Sequence, residues 1–289
     1  MRDRTLGLLV AIVALGASVA AAVGAFWDAG PGPFEHLSVR GSWVTVYGRG
    51  AYRHMSADVA IQGIAQDYIT LFLAVPALIA SYLSTARGGI RARLVLGGVL
   101  FYLFVTYLFY LIMGTYNELF LLYVLLLGTS FFAVARLLFA FPLDRLPAAP
   151  PGGGTAAAGI FLMVNAILIG AMWIGVILPP LLTGELYPEG LDHYTTMIVQ
   201  GMDLALLLPL SFVCGSMLRR GLPLGHLLGR VYLVFLSILM IALSAKILAM
   251  GLSGVNIIPA VFIIPGTALV TIFFTYITIR PLDSLNAGP

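Results

Sequence analysis

Residues 94–113 read LVLGGVLFYLFVTYLFYLIM and residues 119–139 read LFLLYVLLLGTSFFAVARLLF, with only Gly114-Thr115-Tyr116-Asn117-Glu118 between them. The first run contains no charge, and the second carries only Arg136, close to its end. Each run is long enough to cross about 30 Å of hydrocarbon as a helix rising about 1.5 Å per residue. Each is also apolar on every side, so neither can be the one buried face of a soluble bundle. Joined by so short a turn, the two must run antiparallel across a bilayer.

Six further runs have the same character, with Leu6 to Phe26 and Ile64 to Leu83 before this pair. After it come Gly159 to Leu178, Met197 to Met217, Val231 to Leu252 and Ile257 to Ile279. The expected fold is therefore an all-α membrane protein of eight transmembrane helices. Composition agrees: 61% of residues are hydrophobic and 9% charged, against about 25% charged in soluble domains. Lipid must cover what a core of this size cannot. Prolines 76, 209, 259 and 265 interrupt spans, which a bilayer tolerates where neighbouring helices satisfy the freed carbonyls.

Basic residues give the orientation. Arg2, Arg4, Arg87, Arg91, Arg93, Arg136, Arg145, Arg219, Arg220, Arg230 and Arg280 fall on one side, and only Arg40, Arg49 and Arg53 on the other. Both termini are thus expected in the cytoplasm. The first run has a second reading. Its charged start and Ala20-Ala21-Ala22 resemble a secretory signal, although a signal core is about 7–15 residues and this run is longer. Cleavage would leave seven helices.

The outer segment 27–62 is the longest loop. Trp43-Val44-Thr45-Val46 reads as a strand, within a small β-hairpin, that enters a turn containing Gly48 and Gly50. Ser56 reads as the N-cap of the following helix. The Pro/Gly-rich segment 147–156 divides the chain into a first four-helix half, 1–146, and a second, 157–289. The halves share anchors near one offset. Gln62-Gly63 lies 138 residues before Gln200-Gly201, and Met113-Gly114 lies 137 before Met250-Gly251. Asn117 and Asn256, Asp67 and Asp203, and Pro76 and Pro209 follow with small shifts. The expectation is a 4+4 parallel repeat, related by an axis along the membrane normal.

Chemistry concentrates in one outer layer. Lys246 is the only lysine of the chain and lies six residues before the outer end of the seventh span, about 9 Å deep. Asp203 and Asp67 lie at the outer parts of the sixth and second spans. A charge within the bilayer costs about 2.5–3.5 kcal/mol, so Lys246 is expected to face Asp203; the bland alternative is that it snorkels to the headgroups. Asp58, Gln62 and Gln66 form an i, i+4, i+8 stripe. With Gln200 and Glu118 they complete the candidate binding group: Lys246, Asp203, Asp67, Gln66, Gln62, Gln200 and Glu118. Tyr107 and Tyr110 are expected to join an interfacial aromatic belt, and Thr106 to hydrogen-bond between helices.

Other classes find little support. No basic face is interleaved with aromatics, which argues against nucleic acid. No CxxC or paired-histidine spacing suggests a metal, and no cofactor motif occurs. His36, His54 and His193 are all on the outer side but come from separate loops. Cys214 is the only cysteine and lies in an apolar run with no evident base, so nucleophilic catalysis has no basis. A lysine in the penultimate helix invites a Schiff-base reading, but it lies near a helix end, without the surrounding pattern.

The stretch VTVYGRGAYR at 44–53, followed by QGIAQD at 62–67, resembles a pattern in an uncharacterised family of bacterial multi-pass inner-membrane proteins. An Asp in a late helix before a basic loop, as Asp203 stands before Arg219-Arg220, belongs to the same resemblance. It implies a bacterial inner-membrane location and carries no activity. Three functions are open: a small transporter or channel-like protein for a cation or a proton-coupled solute, with lipid as its environment; a sensor or assembly partner whose outer loop binds another protein; and an embedded enzyme acting on a lipid or quinone.

Overall fold

The computed structural model describes residues 3–85, 88–146, 153–185 and 187–283. Most of the expected linker 147–156, together with Arg2 and Arg87, lies outside the described residues. Eight helices among the described residues are long and apolar enough to cross a membrane. They are α1 Arg4–Phe26, α2 Ala57–Thr85, α3 Ile90–Ile112, α4 Phe120–Phe139, α5 Gly153–Thr183, α6 Ile198–Arg219, α7 Pro223–Leu252 and α8 Ala260–Ile279. The hairpin between α1 and α2 pairs β1 Phe34–Leu37 with β2 Trp43–Val46, antiparallel.

The first run is an integral part of this packing. Val13, Ala17 and Ala21 of α1 are fully buried, and the helix lies against α2 and α4. Asp3 caps it by accepting from the Leu6 amide at 3.1 Å, and also holds Arg136 of α4 at 2.8 Å.

The main correction concerns a helix end. α2 begins at Ala57, directly after Ser56 as expected, whereas α7 begins at Pro223, eight residues before the apolar run expected. The added turns of α7 carry the buried His226 and Arg230. Arg230, expected to open the seventh span, is instead buried inside α7, donating to the carbonyls of Thr278 at 3.0 Å and His226 at 3.1 Å. Ser56 is the N-cap residue of α2, but its hydroxyl does not bond the first turn; its amide and hydroxyl face the Tyr194 hydroxyl instead.

The halves repeat the same devices. α2 and α6 each contain one wide π-turn, at Thr70–Ala74 and Asp203–Leu207. Pro76 and Pro209 follow these turns. Proline lacks a donor and collides with the carbonyl four residues back, and a wider turn relieves both defects. Before α4 the Asn117 side-chain carbonyl accepts from Leu119 N at 2.9 Å, and before α8 Asn256 does the same for Ile258 N at 3.1 Å. Packing matches too: α1 with α2 and α4 corresponds to α5 with α6 and α8. The pairs α2–α3 and α3–α4 correspond to α6–α7 and α7–α8, while α3 and α7 meet at the centre.

The outer loops form a cap. The YGRG turn requires its glycines: Gly48 and Gly50 have φ +73° and +55°, and a Cβ on either would overlap the backbone of Gly32 or Trp27. Arg40 reaches across to donate to the carbonyls of Asp192 at 3.3 Å and Thr195 at 3.5 Å. Burial raises the Asp192 carboxyl above its ordinary range. A T-shaped contact at 6.0 Å joins the His36 and His193 rings, and His193 Nε2 lies 2.9 Å from the His54 carbonyl. No metal-holding group of three His, Cys, Asp or Glu occurs among the described residues.

Candidate functional site

The polar stripe of α2 runs from water into the protein. Asp58 is exposed, Gln62 half-buried and Gln66 buried. Gln66 Nε2 donates to the Tyr102 hydroxyl at 2.7 Å and to Thr106 Oγ1 at 3.2 Å, while its Oε1 finds no donor among the described residues. Thr106 thus bonds between helices as expected.

Asp67, beside Gln66, is 1% exposed. Tyr52, from the short helix Gly50–Tyr52 of the outer loop, donates to its Oδ2, and Tyr110 of α3 donates to its Oδ1 at 2.9 Å. Tyr123 of α4 lies edge-on to Tyr110, with ring centroids 5.4 Å apart, and stacks on Tyr107 at 6.0 Å. Gly24 of α1 completes the enclosure, since a Cβ there would occupy the position of Asp67 Oδ2. Burial, and then the adjacent Asp67 charge, push the Tyr52 phenol up. It therefore stays protonated and remains a donor.

Tyr107 and Tyr110 are thus not an interfacial belt. Tyr107 is fully buried, with its hydroxyl unpartnered among the described residues, and Tyr110 bonds the carboxyl. Desolvating a carboxylate is costly unless donors surround it, and phenols supply donors without a second charge.

Lys246 of α7 is the basic neighbour that Asp67 of α2 and Asp203 of α6 share. α7 packs on α2 as well as on α3. Among the described residues Lys246 has no hydrogen bond, and neither carboxylate is within 4.0 Å. The expected Lys246–Asp203 pairing is therefore a proximity and not a formed ion pair. Asp203 opens the π-turn of α6 and accepts from Trp173 Nε1 of α5 at 2.8 Å. Gln200 is half-buried one turn before it.

Glu118 stands apart. It is exposed and pairs with Arg53 at 2.6 Å, while the Arg53 guanidinium lies over the Trp27 ring at 4.8 Å. A separate apolar concavity of about 470 Å³ joins the end of α7 to the start of α8, around Leu248, Ile257 and Ile258. Leu248 is two residues from Lys246, about 200° around the helix, so this hollow opens away from the charged layer.

Tyr52, Tyr102, Tyr123, Trp173 and Gly24 are site residues that the sequence did not single out. One signal was present: Tyr102, Thr106 and Tyr110 recur at i, i+4 and i+8, as the α2 stripe does. No local pattern marks Tyr52, which reaches the site from a loop. Comparison with protein-family models, curated proteins and solved structures finds no match to this chain.

Proposed function

We propose that the chain is a small membrane transporter for a cation or a proton-coupled solute, working between its two four-helix halves. One observation carries this: carboxylates from both halves neighbour a single lysine, inside spans broken by π-turns, and among the described residues no ion pair is closed. Evolution keeps uncompensated charge within a bilayer where a pathway needs it, because each such charge costs about 2.5–3.5 kcal/mol. π-turns are enriched at functional sites. Two buried polar atoms without partners, Gln66 Oε1 and Tyr107 Oη, support the same layer as a place where protons or ligands exchange. A bacterial inner membrane belongs to this proposal through the sequence resemblance.

The test uses proteoliposomes containing pyranine, an imposed pH gradient, and a panel of inorganic cations and amines. Asp203→Asn and Lys246→Ala should each abolish coupled proton flux. Unchanged flux in both variants would sink the proposal.

The outer-loop partner keeps a specific observation of its own. β1 is exposed throughout, Val39 is 96% exposed and Trp43 69%. On this second reading Trp43→Ser should abolish co-purification of a defined partner from the native membrane and leave flux intact; unaltered co-purification would refute it.

A further inference from the structure

Asp67 precedes Tyr110 by 43 residues, and Asp203 precedes Lys246 by the same 43. The two pairs lie toward the outer ends of corresponding helices, one on α2 and α3, the other on α6 and α7. The first pair is closed, with Tyr110 donating to Asp67 at 2.9 Å and tyrosines packed behind it. The second pair is open, because Asp203 is bonded to Trp173 while Lys246 stands across from it unpaired among the described residues.

Packing shows the same difference. Each second-half helix is less buried than its counterpart. The outermost buried residues of α5, α6, α7 and α8 are Ala166, Leu207, Ala242 and Ala268. Nearer the outer surface, no described residue of these four helices is buried. A Cβ on Gly175, Gly201 or Gly266 would meet nothing within 4 Å, whereas one on Gly24 or Gly63 would overlap Asp67 or Tyr52. On the inner side α6 and α7 are in contact, with Tyr232 donating to the Leu207 carbonyl at 2.9 Å and Gly229 set against Leu218. The pair therefore diverges outward, with Asp203 on one wall and Lys246 on the other.

We propose that this opening binds an outer-leaflet amphiphile with a zwitterionic headgroup of the phosphoethanolamine class, its amine on Asp203 and its phosphate on Lys246. This rests on the transporter reading and names its substrate class. Outward of Leu207 and Ala242 both walls are unburied and mostly apolar, so an occupant that carries hydrocarbon matches them. The polar end of the opening offers one anion and one cation across a gap, so a headgroup with a single charge satisfies one wall and is repelled by the other. A water-soluble zwitterion would satisfy both and leave the apolar walls to other lipid.

The test reads Trp173, which lies at the site. A protein carrying Trp27→Phe and Trp43→Phe keeps Trp173 as its one tryptophan. It is placed in phosphatidylcholine nanodiscs and titrated with phosphatidylethanolamine bearing brominated acyl chains. Quenching should saturate, and its midpoint should rise about fivefold or more in Lys246→Ala and in Asp203→Asn. The amide oxygen introduced by Asp203→Asn can still accept from Trp173, so unquenched emission checks that the fold is kept. Brominated phosphatidylcholine, whose quaternary ammonium has no N–H to donate to Asp203, and brominated phosphatidylglycerol, whose headgroup has no cation, should quench only in proportion to their mole fraction. Equal quenching by all three lipids, or unchanged midpoints in both variants, would overturn the inference. Saturable quenching needs no turnover: binding without any flux would refute transport alone, and cation flux with no saturable lipid binding would refute this inference alone.

Discussion

Gly24→Ala is the sharpest test of the closed half. In an ordinary helix this change is favourable by about 0.8–1 kcal/mol. Here the new methyl would occupy the position of Asp67 Oδ2 and approach the Tyr52 hydroxyl to 3.1 Å. Forcing a methyl into a packed interior costs about 1–3 kcal/mol. Moving Asp67 off Tyr52 also breaks a hydrogen bond to a buried acidic group, about 1.5–3 kcal/mol. The net expectation is a loss of about 2–5 kcal/mol. Gly201→Ala serves as the control, since its Cβ meets nothing and should be neutral or up to about 1 kcal/mol stabilising. Reversible unfolding of both variants in mixed micelles, titrated with a denaturing detergent, measures the difference. If Gly24→Ala is within about 0.5 kcal/mol of the parent, the range of ordinary surface changes, the enclosure of Asp67 has been misread.

Two further predictions use the same unfolding assay. Asn117 is buried, accepts from Leu119 N and donates to the Ala51 carbonyl at 3.0 Å, whereas Asn256 is exposed and among the described residues makes only the matching turn bond. Asn117→Ala should therefore cost about 2–3 kcal/mol and Asn256→Ala about 0.5 kcal/mol, and equal losses would contradict the packed outer turn of the first half. The Asp3 carboxyl is raised by burial, but the Leu6 amide and Arg136 outweigh this and hold it below its ordinary value. A depressed folded value means that Asp3 adds stability above pH about 4 and loses the charge-dependent part as pH falls from there through the lower folded value. Asp3→Ala should thus cost about 1 kcal/mol at neutral pH and less in strong acid, where the protonated carboxyl still accepts from Leu6 but no longer pairs with Arg136, and a loss independent of pH would refute the charged pairing.

Apolar run length made the eight helices legible, and alternation made β2 legible within its loop. Helix ends were less so, because Arg230 resembles a loop residue until its carbonyl partners are known. The layer of Asp67, Asp203 and Lys246 followed from depth arithmetic, since each residue adds a fixed rise and the outer ends share one surface. The tyrosine shell did not. Tyr107 and Tyr110 are amphipathic side chains at a depth where headgroups and buried carboxyls both reward them, and sequence does not say which is near. Helical phase held the answer for Tyr102 and Tyr110, which face α2 with Thr106. Tyr52 depends on how the hairpin folds back, through close backbone approaches at Gly48 and Gly50. Glu118 is at the right height but turned outward, where Arg53 holds it.

Tyr52 ties a water-facing loop to the membrane interior. A soluble protein tolerates insertions in such loops because water accepts whatever the loop releases. Here a shift of the loop would withdraw a donor from Asp67, and no solvent reaches that depth to replace it. The bilayer thereby constrains residues that never touch lipid, and the segment from Gly48 to Tyr52 is held to its length and path by the polarity of a site beneath it.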